Sequence, residues 1–369
     1  MRRVTASLIA AGLLALSAVG PARATAPGPF APPPERACAG AWEALLAPDG
    51  TIRGIATTPD GILAVGSIVR GQALQMVARL RPTGWELAAP PAGPGGTLAG
   101  ISAVPGEAPW VAGSRIDAGS SAWIGRAEAD PLGGRIVPAP SPVRAAPEDA
   151  TVITAVAALP GDAAVAVGYR HGRTGQRAYI RTWRDGLTAD RSILPEADGR
   201  VVRESVLVAV AADGPAGVWA AGWQGDGERI GPLLVRGDAA GDGWQAIPFP
   251  VPPGPETVLT ALRPLGPDAL LVAGYRVDGV RRSPFLVRRA ADGTVTEIPL
   301  PVTGSGIVRA IAGSGMDDLV VAGATLPAAI DTVALLLERD GDRWHAPARP
   351  PTASRRAPAS SAMTAGGSR

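Results

Sequence analysis

The segment Ala269-Leu270-Leu271-Val272-Ala273-Gly274 decides the fold, because five apolar residues run into a glycine and a similar step recurs along the chain. An Ala-Gly or Val-Gly step ends at six glycines: Gly66, Gly113, Gly168, Gly222, Gly274 and Gly323. These glycines are 47, 55, 54, 52 and 49 residues apart in turn. A period of about 50 residues is typical of repeat architectures, so we predict six similar units between residues 51 and 351.

Each unit contains four short stretches with strand character, separated by turn residues. In the fifth unit they lie at residues 258–262, 269–274, 283–288 and 295–299. The dipeptide Asp292-Gly293 before the fourth stretch is typical of a β-hairpin turn. The second stretch is apolar without interruption, which indicates a strand covered on both faces. A sheet this small needs neighbouring sheets to bury its apolar surface.

The sequence therefore predicts an all-β protein, a six-bladed β-propeller over residues 41–351 with four antiparallel strands per blade. The expected repeats span about 51–92, 97–142, 151–196, 205–252, 257–302 and 306–351. We expect each recurrent glycine where strands approach too closely for a side chain. Seven blades are the alternative, and the segment Ala41-Trp42-Glu43 could complete the last sheet or flank the ring.

The second stretches also carry a resemblance. Gly217-Val218-Trp219-Ala220-Ala221-Gly222 and the segment from Asp317 to Gly323 resemble the Asp-Val-Trp-Ala-Val-Gly repeats of secreted bacterial propellers. Those repeats are loosely similar to the kelch and galactose-oxidase propeller group. The resemblance implies a propeller fold and export, and it implies no particular activity.

The chain termini predict export. Arg2 and Arg3 precede an apolar stretch, and Ala22-Arg23-Ala24 offers a signal-peptidase site, so residues 1–24 are typical of a secretory signal. Residues 25–40 are a Pro/Ala-rich linker, and residues 352–369 are predicted to be disordered. Cys38 is the only cysteine, so no disulfide can form within the chain. We expect a monomer in the periplasm or outside the cell, without a membrane span after signal removal.

The charge distribution argues against nucleic-acid binding. Six arginines lie in the first 24 residues and in the tail from Thr352, where no acid occurs. Since the net charge of the whole chain is +2, the residues between these two segments carry a net charge of about −4. A basic body, as nucleic-acid binding needs, is therefore not expected.

Arginines are concentrated in one class of loop. The loops between second and third strands hold nine arginines and five acids, whereas the turns between first and second strands hold seven acids and no arginine. We therefore predict that the two faces of the ring carry opposite charge. Because arginine pairs well with carboxylates, sulfates and phosphates, the candidate ligand-binding residues are Arg170, His171, Arg173, Arg177, Arg229, Arg276, Arg281 and Arg282.

No catalytic residue, metal site or cofactor is predicted, because the two histidines lie on different repeats and no nucleophile elbow occurs. The first functional hypothesis is an exported, non-catalytic propeller that recognises an anionic glycan or protein through these arginines. One alternative is a propeller hydrolase or lyase acting on glycans with carboxylates in the central funnel, where Glu204 and Glu256 lie at the approaches of the first strands. The other is a structural envelope protein.

Overall fold

The structure is a computed structural model that describes residues 51–58, 61–70, 72–81, 84–87, 95–116, 120–127, 136–138, 150–172, 175–185, 187–193, 202–214, 217–238, 240, 242–250, 255–325 and 333–346. The predicted signal, linker and tail, and the segment around Trp42, lie outside these ranges. None of the described ranges contains a helix long and apolar enough to cross a membrane.

The first three blades contain the strands β1 to β12. The first has β1 (Thr51–Thr58), β2 (Gly61–Arg70), β3 (Gln72–Arg81) and β4 (Gly84–Leu87). The second has β5 (Gly96–Ser102), β6 (Trp110–Ile116), β7 (Ser120–Ala127) and β8 (Ile136–Pro138). The third has β9 (Thr151–Leu159), β10 (Ala163–Gly172), β11 (Gly175–Arg184) and β12 (Leu187–Ile193).

The last three blades repeat this order. The fourth has β13 (Glu204–Ala212), β14 (Val218–Gly225), β15 (Ile230–Gly237) and β16 (Gln245–Ala246). The fifth has β17 (Glu256–Gly266), β18 (Ala269–Asp278), β19 (Arg281–Arg289) and β20 (Val295–Glu297). The sixth has β21 (Gly306–Gly313), β22 (Asp318–Thr325), β23 (Val333–Asp340) and β24 (Arg343–His345).

Each blade is an antiparallel meander in which strands pair in chain order. The first strand of each blade after the first contacts the first three strands of the blade before it, as β17 does with β13, β14 and β15. The prediction of six blades with four antiparallel strands each is therefore confirmed, and the described strands form no seventh sheet.

The recurrent glycines face a β-bulge in the first strand of every blade. In the fourth blade the bulge lies between Leu207 and Ala209, opposite Gly222. A Cβ atom on Gly222 would lie well inside 3.0 Å of the Val206 carbonyl oxygen, and the other five recurrent glycines meet the same obstacle on their own first strands. A bulge brings the two backbones together in this way, so the glycine period reflects a steric requirement of the blade.

Buried apolar side chains fill the spaces between consecutive blades. Five hydrophobic clusters each combine residues of two neighbouring blades, from the first and second to the fifth and sixth. The sixth cluster contains first-blade residues alone, centred on Ile52, Ile55 and Met76. Among the described strands, the extensive contacts therefore run from each blade to the next in chain order.

A tryptophan, an arginine and an aspartate connect some blades near the turns between first and second strands. Arg126 lies over the Trp110 ring of its own blade and pairs with Asp162 of the third blade at 2.8 Å. In the same way, Arg236 lies over Trp219 and pairs with Asp268 of the fifth blade. Both aspartates have positive φ angles, 58° and 64°, a region that Asp tolerates better than most residues do.

Candidate functional site

The antiparallel order of the strands defines two faces of the ring. We call the face that carries the hairpins between second and third strands, and the links between blades, the loop face. The opposite face carries the turns between first and second strands and between third and fourth strands, and we call it the turn face. The predicted arginines belong to the loop face, while the acids counted between first and second strands belong to the turn face.

On the turn face, arginines from the ends of third strands neutralise part of the acidic charge. Besides pairing with Asp162, Arg126 lies 3.3 Å from Glu107, and Asp268 is bound by Arg236. The charge count by loop class omitted these strand-end arginines. The predicted contrast in charge between the two faces is correspondingly weakened.

On the loop face, the third blade brings three of the predicted residues together. Arg170 on β10 and Arg177 on β11 are opposite each other in register. The His171 ring packs edge-on against Tyr169 at 5.1 Å, and its backbone N–H donates to the Ala150 carbonyl at 2.8 Å. Arg173 lies outside the described residues.

Arg170 is held in place by aromatic and acidic neighbours. Its guanidinium lies 4.8 Å from the centre of the buried Tyr179 ring, and its Nη2 atom is 4.0 Å from Asp190. Burial raises the pKa of the Tyr179 hydroxyl far above its ordinary value. Arg170 therefore belongs to a fixed network and is not an independent anion-binding arm.

The centre of this network is a buried ion pair between Arg181 and Asp190, which the sequence prediction missed. Arg181 Nε and Nη2 donate to the two Asp190 oxygens at 2.7 and 2.8 Å, while Arg181 Nη1 donates to the Ala122 carbonyl of the second blade at 2.9 Å. Burial opposes ionisation of Asp190, but the hydrogen bonds and charge of Arg181 hold its pKa below the ordinary value. The register of the β11–β12 hairpin could have revealed the pair, because these residues are directly opposite.

The fifth blade holds the second group of predicted arginines. Arg276 forms a two-pronged ion pair with Glu297, at 3.1 and 2.9 Å. The guanidinium of Arg282 lies 5.4 Å from the centre of the Tyr275 ring, and Arg281 is exposed at the start of β19. In the fourth blade, Arg229 is exposed at the end of a turn in which Asp226 accepts its backbone N–H.

Two glutamates occupy the same position on neighbouring first strands. Glu204 begins β13 and Glu256 begins β17, each three residues before the residue that faces the recurrent glycine. Each glutamate also lies against the first residue of a third strand in the preceding blade. A Cβ atom on Gly175, which begins β11, would meet the Glu204 carboxylate. Glu256 Oε1 accepts the backbone N–H of Ile230, which begins β15, at 3.3 Å. Because β13 and β17 contact each other, the two glutamates stand at the same loop-face end of neighbouring first strands.

Within the ranges that the structure describes, no three His, Cys, Asp or Glu side chains are grouped closely enough to hold a metal ion. His171 and His345 lie in different blades, the third and the sixth.

Comparisons with known proteins concern the fold. No protein family and no curated protein sequence matches this chain. Among solved structures, an α-L-arabinanase from Penicillium chrysogenum, complexed with arabinobiose, is similar at 15% identity and a TM-score of 0.47, covering 80% of this chain and 94% of that one. The kelch-like resemblance expected from the short repeats is not shown by these comparisons.

The first functional hypothesis, a non-catalytic propeller that binds an anionic glycan or protein, is corrected. The hypothesis treated the loop-face arginines as available for a ligand, and two of them are already engaged within the protein. Arg276 is paired with Glu297 and Arg170 is stacked on Tyr179 beside Asp190.

Proposed function

We propose that this protein is an exported propeller enzyme that hydrolyses glycosidic bonds, with Glu204 and Glu256 as its pair of carboxylates. The observation that supports the proposal is their equivalent position on neighbouring first strands at the loop face. Glycosidases use two carboxyl groups, one to protonate the leaving oxygen and one to act as base or nucleophile. The secretory signal expected at the N-terminus supports export, which would bring the enzyme to extracellular polysaccharides.

The position of the glutamates suits this chemistry. Both residues are half-buried at strand starts, where each lies against the third strand of the preceding blade. The contact between Glu256 and the Ile230 N–H holds one carboxylate in a fixed orientation, as a catalytic group requires. Function in propellers resides in the loops and strand ends that a rigid ring carries.

The test is release of reducing ends from a panel of neutral and acidic polysaccharides, an arabinan among them. We expect the wild-type protein to cleave at least one of them. Glu204→Gln and Glu256→Gln should each lower the rate by about 100-fold or more, because each removes a group that transfers a proton or attacks the sugar.

Glu228→Gln is the matched control, since Glu228 is an exposed glutamate on the same face of the fourth blade; this variant should keep full activity. Absence of cleavage of every polysaccharide by the wild-type protein would overturn the proposal. Full activity in both Glu204→Gln and Glu256→Gln would overturn it as well.

A further inference from the structure

A cavity of about 330 Å³ lies between the fourth and fifth blades. Its walls include Phe249 and Pro250, from the link after β16, together with Thr257, Arg276, Phe285 and Glu297 of the fifth blade. Ligand pockets begin at about this volume. Neither Glu204 nor Glu256 lines the cavity, so it is separate from the proposed catalytic pair.

The charges in this cavity cancel. Arg276 and Glu297 bind each other through two hydrogen bonds, and the Arg276 guanidinium lies 4.9 Å from the centre of the Phe285 ring. A further anion or cation would have to compete with this ion pair, which a two-pronged geometry makes strong. The cavity therefore favours a neutral ligand.

Two buried polar atoms among the lining residues have unused hydrogen-bonding capacity. They are Thr257 Oγ1 and Arg276 Nε, neither of which has a partner within the described part of the chain. Thr257 is only 1% exposed. A buried polar atom without a partner costs free energy, and a ligand hydroxyl could satisfy both atoms, because a hydroxyl donates one hydrogen bond and also accepts.

The Thr257 hydroxyl lacks a hydrogen-bond partner because of one residue in the neighbouring blade. Ser205 occupies the equivalent position in the fourth blade, and its hydroxyl accepts the Ala178 N–H at 2.9 Å. Ala178 and Pro232 are equivalent residues of consecutive blades. Ala178 is opposite Tyr169, the residue after the recurrent Gly168. Pro232 is opposite Trp223, the residue after the recurrent Gly222. Proline has no N–H, so Pro232 cannot provide to Thr257 the hydrogen bond that Ala178 provides to Ser205.

We infer that this cavity binds a single neutral sugar unit, as the end or a side branch of a glycan. The two phenylalanine rings would contact the apolar C–H surface of the sugar, while Thr257 and Arg276 would bind its hydroxyl groups. Because the cavity excludes both proposed catalytic glutamates, its binding does not depend on hydrolysis. The site would anchor a polysaccharide chain beside the loop face.

The test is binding of neutral methyl glycosides, pentosides and hexosides, measured by saturation-transfer NMR and titration. We expect at least one to bind at millimolar concentration or below, and glucuronate and glucose 6-phosphate to bind more weakly. Thr257→Val should weaken binding about five- to tenfold, the effect of one lost hydrogen bond. Pro232→Ala should weaken it too, because the new N–H would donate to the Thr257 oxygen and take one of the positions available to a sugar hydroxyl.

Matched variants test whether the effect belongs to the cavity itself. Thr296→Val changes an exposed threonine on β20 outside the cavity and should bind as the wild type does. Thr257→Val should fold, and without sugar should be at least as stable as the wild type, because it removes an unpaired buried hydroxyl. Glu204→Gln and Glu256→Gln should retain sugar binding even where hydrolysis is lost.

The inference is overturned if no neutral glycoside binds, or if charged sugars bind as tightly as neutral ones. Unchanged affinity in both Thr257→Val and Pro232→Ala would also overturn it. If the wild-type protein binds neutral glycosides but hydrolyses no polysaccharide, the proposed function fails and the binding site stands. If it hydrolyses a polysaccharide but binds no neutral glycoside, the binding site fails and the proposed function stands.

Discussion

Replacement of Gly222 by alanine is expected to lower the free energy of unfolding by about 4 kcal/mol or more, an exceptional value for one methyl group. The added Cβ would collide with the Val206 carbonyl oxygen across the bulge. Neither atom can move away easily, because both strands are buried and the backbone has no rotamer to change. Urea-induced unfolding, followed through tryptophan fluorescence, measures the loss.

Gly231→Ala is the matched control within the same blade. Gly231 lies on β15, opposite Gln224, and a Cβ there would meet no atom within 4 Å. We expect this variant to change stability by less than about 1 kcal/mol. If Gly222→Ala unfolds at the same urea concentration as Gly231→Ala, the steric explanation of the glycine repeat is wrong.

The second large effect is expected at the ion pair between Arg181 and Asp190. Asp190→Asn removes the charge that compensates Arg181, whose side chain is only 6% exposed. Removing one partner of a buried pair typically costs about 3–5 kcal/mol, because the other charge is left buried without compensation. The exposed pair of Arg81 and Glu86, with side chains 42% and 64% exposed, provides the comparison: Glu86→Gln should cost less than about 1 kcal/mol.

The same ion pair predicts a pH dependence. Because Arg181 lowers the pKa of Asp190 in the folded protein, its contribution is fully present above the unfolded pKa of about 3.9. It is lost as the pH falls through the lower, folded pKa. The stability of Asp190→Asn should therefore decline less than that of the wild type between about pH 5 and pH 2. Parallel pH profiles for the two proteins would contradict this assignment.

The blades could be predicted because their main constraint concerns the backbone. A bulge that excludes a Cβ atom leaves a glycine in every repeat, and a glycine is visible in the sequence. The ends of the strands were harder to predict from the sequence. Strand β17 runs from Glu256 to Gly266, well beyond the apolar stretch at residues 258–262. Hydrogen bonding with β18 extends the strand past the residues that hydrophobicity marks.

The sites were harder to predict because their contacts join different strands and different repeats. The Arg276–Glu297 pair spans two strands of one blade, and the state of Thr257 depends on Pro232 in the blade before it. Counting charges by loop class ignored strand-end partners such as Glu297, so it overestimated the number of available arginines. An alignment of the repeats by their glycines would have placed Pro232 where Ala178 lies.

The order of the hydrophobic clusters has a consequence for folding during synthesis. Since each of five clusters joins a blade to the blade before it, a chain that is synthesised from its N-terminus can add one blade at a time. Each newly exposed face is covered after about 50 more residues, which limits the apolar surface open to aggregation at any moment.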